Sequence, residues 1–289
     1  MRWLVLSSVL ALGACTTPGP QAPDASLDLS KYYATAEAEI RAAGGMRSAY
    51  FPADAPFTKA ELARNFMRIA LFDEYKTVNG RYVPGQTPAN LRRFERPVLV
   101  KVVNGAATNE ADARLNTTLV AQYTRRLARI TGADIRFANQ GERANMVVFF
   151  LNRAEQPRYA RELARYVTAP PRKVEETFAN SPENMFCNAF SLSPQQSRDS
   201  YTASVILIKS EQSGALRSAC VQEEMAQALG LPNDSPEARP SIFNDDEEFA
   251  ALTKHDELLL QILYDPRLKP GMNAAEVRLL LPAIIDDIW

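Results

Sequence analysis

A chain of 289 residues, 46% hydrophobic and 23% charged, can bury the core of one large domain, or of one domain with a small appendage. Lys and Arg number 33 against 34 Asp and Glu, and the resulting charge of −1 removes the electrostatic case for a nucleic-acid or strongly acidic partner. The Arg-rich stretches "RRFER" and "RYARELARY" sit among Glu residues or at helical spacing and read as solvated faces.

The N-terminus reads as a targeting segment. "MRWLVLSSVLALGAC" carries one positive charge, an apolar run from Trp3 to Leu12, and small residues up to Cys15. The run is too short for a ~30 Å hydrocarbon core. Leu12-Gly13-Ala14-Cys15 resembles a bacterial lipobox, which implies that residues 1–14 are removed and that the Cys15 thiol carries lipid. The alternative is an ordinary cleaved signal peptide ending near a Cys. Thr16 rather than Asp after the Cys resembles an outer-membrane sorting signal, so the expected place is the cell envelope, facing the periplasm, with the outer membrane favoured over the inner. Residues 15–30, rich in Pro, Ser and Thr, read as a lipidated tether. Three cysteines are an odd count for an exported chain; with Cys15 lipidated, Cys187 and Cys220 remain as an expected disulfide in an oxidising compartment. Two free thiols are the alternative.

Residues 31–96 read as a helical N-terminal appendage. Leu29 to Ala43 is Ala- and Glu-rich, and "FTKAELARNFMRIALFDEY" opens on a capping box, Thr58 to Glu61, with Leu62, Phe66, Ile69 and Phe72 at helical spacing. Residues 76–96 read as a turn-rich surface connection. The main domain is expected over 97–289. "RPVLVKVVNG" gives a strand near 97–104. A long helix follows, capped by Asn109 and ended by Gly132, with Leu115, Leu119, Tyr123, Leu127 and Ile130 as its expected buried stripe. "ADIRFAN" and "ANMVVFFLNR" read as strands, 156–182 as broken helix, the segment carrying Cys187 as a loop, and "YTASVILIKS" as another strand. Helices are expected over Ala215–Leu229, over 254–264 and from Ala274. Phe149, Phe150 and Tyr201 read as core. The fold class is therefore α+β: a mixed twisted sheet packed on a long helix, with a helical C-terminal half.

The stretch "EEMAQALGLPND", Glu223 to Asp234, carries the strongest functional pattern. It resembles the H-E-x-x-H-x-x-G-x-x-H helix of metzincin-type zinc peptidases, in which His residues bind zinc and the Glu is the general base. On that pattern Glu223, Gln227 and Asn233 stand at the metal-ligand positions, Glu224 at the catalytic Glu and Gly230 at the motif glycine. "RPSIFND" resembles the Met-turn segment with Phe243 in place of Met, and "ALTKHDELLLQILYDPRL" resembles the closing helix. The element order of residues 97–265 is also that of a zincin core. Among zincin-like chains the sequence most resembles an uncharacterised family of proteobacterial lipoproteins known only as a domain of unknown function. The shared features are the Cys before Glu-Glu-x-x-Gln-Ala-Leu-Gly-Leu, then "SIFND" and "LYDPRLKPGM". The resemblance implies an envelope location and a degenerate zincin fold, and it implies no assigned activity.

Gln227 and Asn233 offer neutral amide oxygens where zinc prefers His, Cys or carboxylate. Water without a metal keeps a pKa of ~15.7 rather than ~7, a gap of about 12 kcal/mol that one Glu base does not recover. Zinc peptidase activity is therefore not expected, and no metal or cofactor is assigned. Adjacent residues on a helix point about 100° apart, which counts against a two-carboxylate mechanism on Glu223 and Glu224. The one histidine, His255, lies in a capping pair of Thr253 with Asp256 and does not suit a triad. The acidic run "NDDEEF" (Asn244 to Phe249) reads as a solvated loop, with a calcium site as its alternative. Two functions remain open. One is a non-catalytic binding or scaffolding module, anchored in the membrane by lipid, for an envelope protein, peptide or glycan. The other is a hydrolase with a non-zinc site centred on Glu224.

Overall fold

The computed structural model describes residues 25–289 apart from 79–80, 195, 198, 213 and 245. The expected signal peptide, 1–14, and the expected lipidation site, Cys15, lie outside the described residues. Helix α1 spans Ala25–Ala42, so it begins inside the stretch expected to be tether. Helix α2, Lys59–Ala70, starts on the expected capping box, in which the Thr58 side chain accepts from Glu61 N and the Glu61 carboxylate accepts from Thr58 N.

The segment after α2 differs from its sequence reading. Strands β1 (Phe72–Val78) and β2 (Arg81–Pro88) pair as an antiparallel hairpin where a surface connection was expected. The short strand β3, Arg93–Phe94, follows. Nor is 31–96 set apart from the rest: Leu62, Phe66 and Ile69 of α2 are fully buried in the same cluster as Phe150, Ile206 and Met225.

The central sheet has five strands, built from β4 (Val98–Asn104), β5 (Ile135–Phe137), β6 (Met146–Leu151), β7 (Cys187–Leu192) and β9 (Ala203–Lys209), in the order β5-β4-β6-β9-β7. Four of these run parallel, and β7 is antiparallel to β9 at one edge. Strand β8, Ser200–Tyr201, pairs in parallel with β3 outside this sheet. Strands β6 and β9 are buried at every position, as strands covered on both faces must be. Their side chains alternate between the two sides: Val148, Phe150, Ile206 and Ile208 join the main core, while Val147, Phe149, Leu151, Val205 and Leu207 join a second one. The second core is closed by α4 (Gln156–Arg161) and α5 (Arg172–Ala179).

The main core is closed by α3 (Glu110–Thr131), α6 (Gly214–Gly230), α7 (Lys254–Tyr264), α8 (Ala274–Ile288) and α2. Helix α3 has the expected ends: Asn109 accepts from Asp112 N at 2.9 Å, and Gly132 takes the left-handed conformation at φ 67°. Its buried stripe is shifted, however. Leu115 is 56% exposed, and Asn116 takes the inward position. The Asn116 amide donates to Asn104 Oδ1 at 2.8 Å and its carbonyl accepts from Arg217 at 3.2 Å, so a satisfied polar side chain occupies a place that hydrophobic periodicity assigns to leucine.

Candidate functional site: a cleft between the edge strand and helix α6

Helix α6 carries the candidate residues, and α1 fixes where it begins. Gly214 opens the helix at φ 62°, and the Glu37 carboxylate of α1 accepts from Leu216 N at 3.1 Å and from Ala215 N at 3.3 Å. A carboxylate there satisfies amides without an intrahelical partner and complements the helix dipole. Burial pushes the Glu37 carboxyl up, but these amides and Arg41 outweigh it and hold it below the usual carboxylate value.

The helix ends at Gly230, where only glycine fits. Its φ is +132°, and a Cβ there would sit 2.1 Å from the carbonyl oxygen of Arg92. Between these ends, Cys220 forms a disulfide with Cys187, as expected from the cysteine count. The bridge ties α6 to β7. The segment carrying Cys187 is therefore the start of an edge strand and not a loop, a second departure from the sequence reading.

Between β7 and α6 lies a cleft of about 980 Å³. Its walls include Cys187 to Pro194 on one side and Glu223, Glu224 and Gln227 on the other, with Pro232 and Asp234 at one end. Glu224 is only 5% exposed, and among the described residues no hydrogen bond reaches its Oε2. Glu223, one residue earlier, is half-buried in the same wall. Burial pushes both carboxyls well above the ordinary glutamate value, and the charges of Asp234, Glu74 and Glu247 push them further.

The three degenerate metal positions separate. Glu223 and Gln227 line the cleft, and the Gln227 amide donates to Asp234 Oδ1 at 2.9 Å. Asn233 is fully buried and faces α2, its amide donating to Arg68 O at 2.9 Å and its backbone N–H to Ile69 O at 3.2 Å. Asp234, the next residue, reaches the cleft instead. Phe243 is fully buried in the main core, and its carbonyl accepts from Ser235 N at 2.9 Å. The loop over 232–244 is thus held against the core, with Pro232 and Asp234 bordering the cleft. Among the described residues, no group of three or more His, Cys, Asp or Glu is arranged to hold a metal ion.

The remaining candidates are placed as follows. His255 is fully buried, with Nε2 3.0 Å from the Asn65 amide and Nδ1 3.5 Å from Asp256 Oδ1. Ser241 donates to Asp256 and not to the imidazole, so no nucleophile relay exists there. Thr253 and Asp256 form the expected capping box. Phe149 and Phe150 are core; Tyr201 is 5% exposed in the core and also borders the cleft. The acidic run is more structured than a solvated loop. Glu248 bridges Arg47 at 2.6 Å and Arg239 at 2.7 Å, and Glu247 borders the cleft.

Sequence reasoning missed Glu74 on β1, Arg92 before β3, Asp234 and Glu247. They come from separate segments, and no spacing rule joins them. Two of them carried a signal: Asp234 as the carboxylate beside the third ligand position, and Glu247 as a member of the acidic run "NDDEEF".

Residues 59–283 match the profile of a family described as a protein of unknown function, DUF2927. The chain belongs to the DUF2927 family. That membership covers α2 through most of α8, so the family unit includes the hairpin and α2 together with the sheet. No curated protein matches the chain. No solved structure matches it either. Among the described residues, no helix is long and apolar enough to cross a membrane.

Proposed function

We propose that this DUF2927 member is a lipid-anchored envelope protein whose zincin-like scaffold acts as a non-catalytic binding module, taking an extended peptide or glycan strand in the β7–α6 cleft. The observation that carries the reading is β7. Among the described residues it is an antiparallel edge strand with a strand neighbour on one side only, and its length forms one wall of the cleft. An edge strand offers unpaired backbone donors and acceptors, the ordinary means by which a sheet takes up an extended chain. The zincin likeness draws support from the same layout: a mostly parallel sheet with one antiparallel edge strand beside the helix that carries Glu223, Glu224 and Gln227. The ligand positions argue for binding over metal-assisted hydrolysis, because Gln227 is engaged with Asp234 and Asn233 with α2. A photo-crosslinking residue at Phe190 of β7 tests the reading in cells, with Leu279, 82% exposed on α8, as the control position. Cross-links to envelope peptide or glycan from Phe190 and not from Leu279 support it. Equal labelling at both positions, or none at Phe190, counts against it.

A second reading rests on Glu224. A carboxyl that burial pushes well above the ordinary glutamate value, with an oxygen left unpartnered among the described residues in a cleft, suits a proton donor. The hydrolase reading requires that purified protein cleave peptide or glycan strands, and that Glu224→Gln abolish the cleavage while leaving the strands bound. Intact strands after prolonged incubation with wild type would dismiss it.

A further inference from the structure

The charges that border the cleft are unbalanced. Six carboxylates line it, namely Asp73, Glu74, Glu223, Glu224, Asp234 and Glu247, against Arg92 and Lys173. Arg92 is engaged by Asp73, to which its guanidinium donates. The carboxylates arrive from β1, from α6, from the turn after α6 and from the loop before α7. Four separate segments therefore carry negative charge into one space, and each bears the cost of crowding like charges.

A cluster of acids alone has an ordinary explanation as a solvated face, but Glu224 does not fit one. It is 5% exposed, it lies on a helix otherwise packed into the core, and its Oε2 has no hydrogen-bond partner. A buried carboxylate oxygen without a donor leaves its desolvation uncompensated. The charges acting on it are those of Asp234, Glu74 and Glu247, all of its own sign. Among the described residues, no side chain supplies the missing donor.

Resting on the cleft reading above, we infer that this site takes the primary ammonium or guanidinium of a basic residue presented by an extended peptide, seated against Glu224 with Glu223 and Asp234 around it. The chemistry required is a cationic donor with several N–H groups. Lysine supplies three and arginine five, and either would satisfy Glu224 Oε2 while offsetting its neighbours. The chain that carries the cation would lie along β7. The wall opposite Glu223 and Glu224 contains backbone and mostly apolar or small polar side chains from Cys187 to Pro194, which suits main-chain pairing and brings no competing acid.

The test uses the full-length protein in mild detergent and three labelled heptapeptides that differ only at the centre: lysine, norleucine or glutamate. Binding is read by fluorescence anisotropy, with spermidine as a free-amine arm. The lysine peptide should bind about tenfold or more tightly than the norleucine peptide, and the glutamate peptide weakest. Glu224→Gln should bring the lysine peptide to the norleucine level. Glu247→Gln, at a half-buried position, should reduce the lysine preference severalfold and serves if Glu224→Gln does not fold. Equal binding of lysine and norleucine peptides overturns the cation site and leaves the cleft reading standing. Spermidine binding that Glu224→Gln weakens, without any peptide binding, supports the cation site and overturns its delivery by a strand on β7. No binding by any peptide or by spermidine overturns the inference outright.

Discussion

The disulfide joins the two walls of the cleft, and removing it has a calculable cost. Cys187 and Cys220 are 33 residues apart in sequence. In the chain-entropy model a loop of that length restricts the unfolded chain by about 12.5 cal/mol/K, or about 3.7 kcal/mol at 25 °C. The family unit spans residues 59–283. At ~2.1 cal/mol/K per residue its unfolding entropy is roughly 0.47 kcal/mol/K, so the double substitution Cys187→Ala with Cys220→Ala should lower Tm by about 8 °C. Alanine is the suitable replacement at Cys220, which is only 2% exposed and sits among apolar neighbours. The single variant Cys220→Ala should lose about as much, because either substitution removes the same bond. Differential scanning calorimetry of oxidised wild type, reduced wild type and both variants measures this directly. A Tm that stays within about 2 °C across all four would refute the claim that the bridge restrains the fold.

Stability should fall as pH rises above about 4.5, in the part contributed by Glu223 and Glu224. Their folded carboxyls are pushed up, so the folded chain holds more protons than the unfolded one in that range, and their contribution is most favourable below it. Glu224→Gln should therefore gain on wild type with pH, about 1.4 kcal/mol for each unit by which the folded value is raised; urea midpoints of both proteins from pH 4.5 to 8 that run parallel would contradict this. Gly230→Ala should cost at least about 2 kcal/mol, since φ +132° and the 2.1 Å approach to Arg92 O leave no room for a Cβ, and chemical denaturation would show it. Glu37→Ala should cost about 1 kcal/mol through the lost cap on Leu216 and Ala215, with faster amide exchange confined at first to the start of α6.

The elements that sequence reveals best here are those with strong periodicity or explicit caps. Helix α7 falls at the expected 254–264 because the Thr253–Asp256 box fixes its start, and β6 and β9 are built on the continuous apolar runs VVFFL and VILI. Strand β7 was missed for the opposite reason. "CNAFSL" is half-buried at every position, so it shows neither the alternation of a one-sided strand nor the apolar run of a central one. The β1–β2 hairpin was legible in principle, since Asn79-Gly80 between β-prone stretches is a hairpin signal, but the Gly and Pro residues that follow favoured a loop reading. Leu115 was misplaced because periodicity cannot see that Asn116 has partners waiting inside.

The candidate site divides along the same line. Glu223, Glu224, Gln227 and Gly230 belong to one helix, and a motif with fixed spacing finds them together. Asn233 stands at the third ligand position by count, yet the turn after Gly230 sends its side chain to α2 and leaves Asp234 to face the cleft. Glu74 and Arg92 reach the cleft through tertiary packing alone, and nothing in the local sequence announces it; Glu247 stood out only as part of an acidic run, with no sign that it meets Glu224.

Hydrogen exchange of the backbone amides, followed by mass spectrometry with and without a saturating lysine-centred peptide, tests the cleft most directly. The account predicts slowed exchange across Cys187–Leu192 and around Glu223–Gln227, with α4 and α8, which do not border the cleft, unchanged. Protection that appears elsewhere while β7 exchanges at its free rate would contradict it.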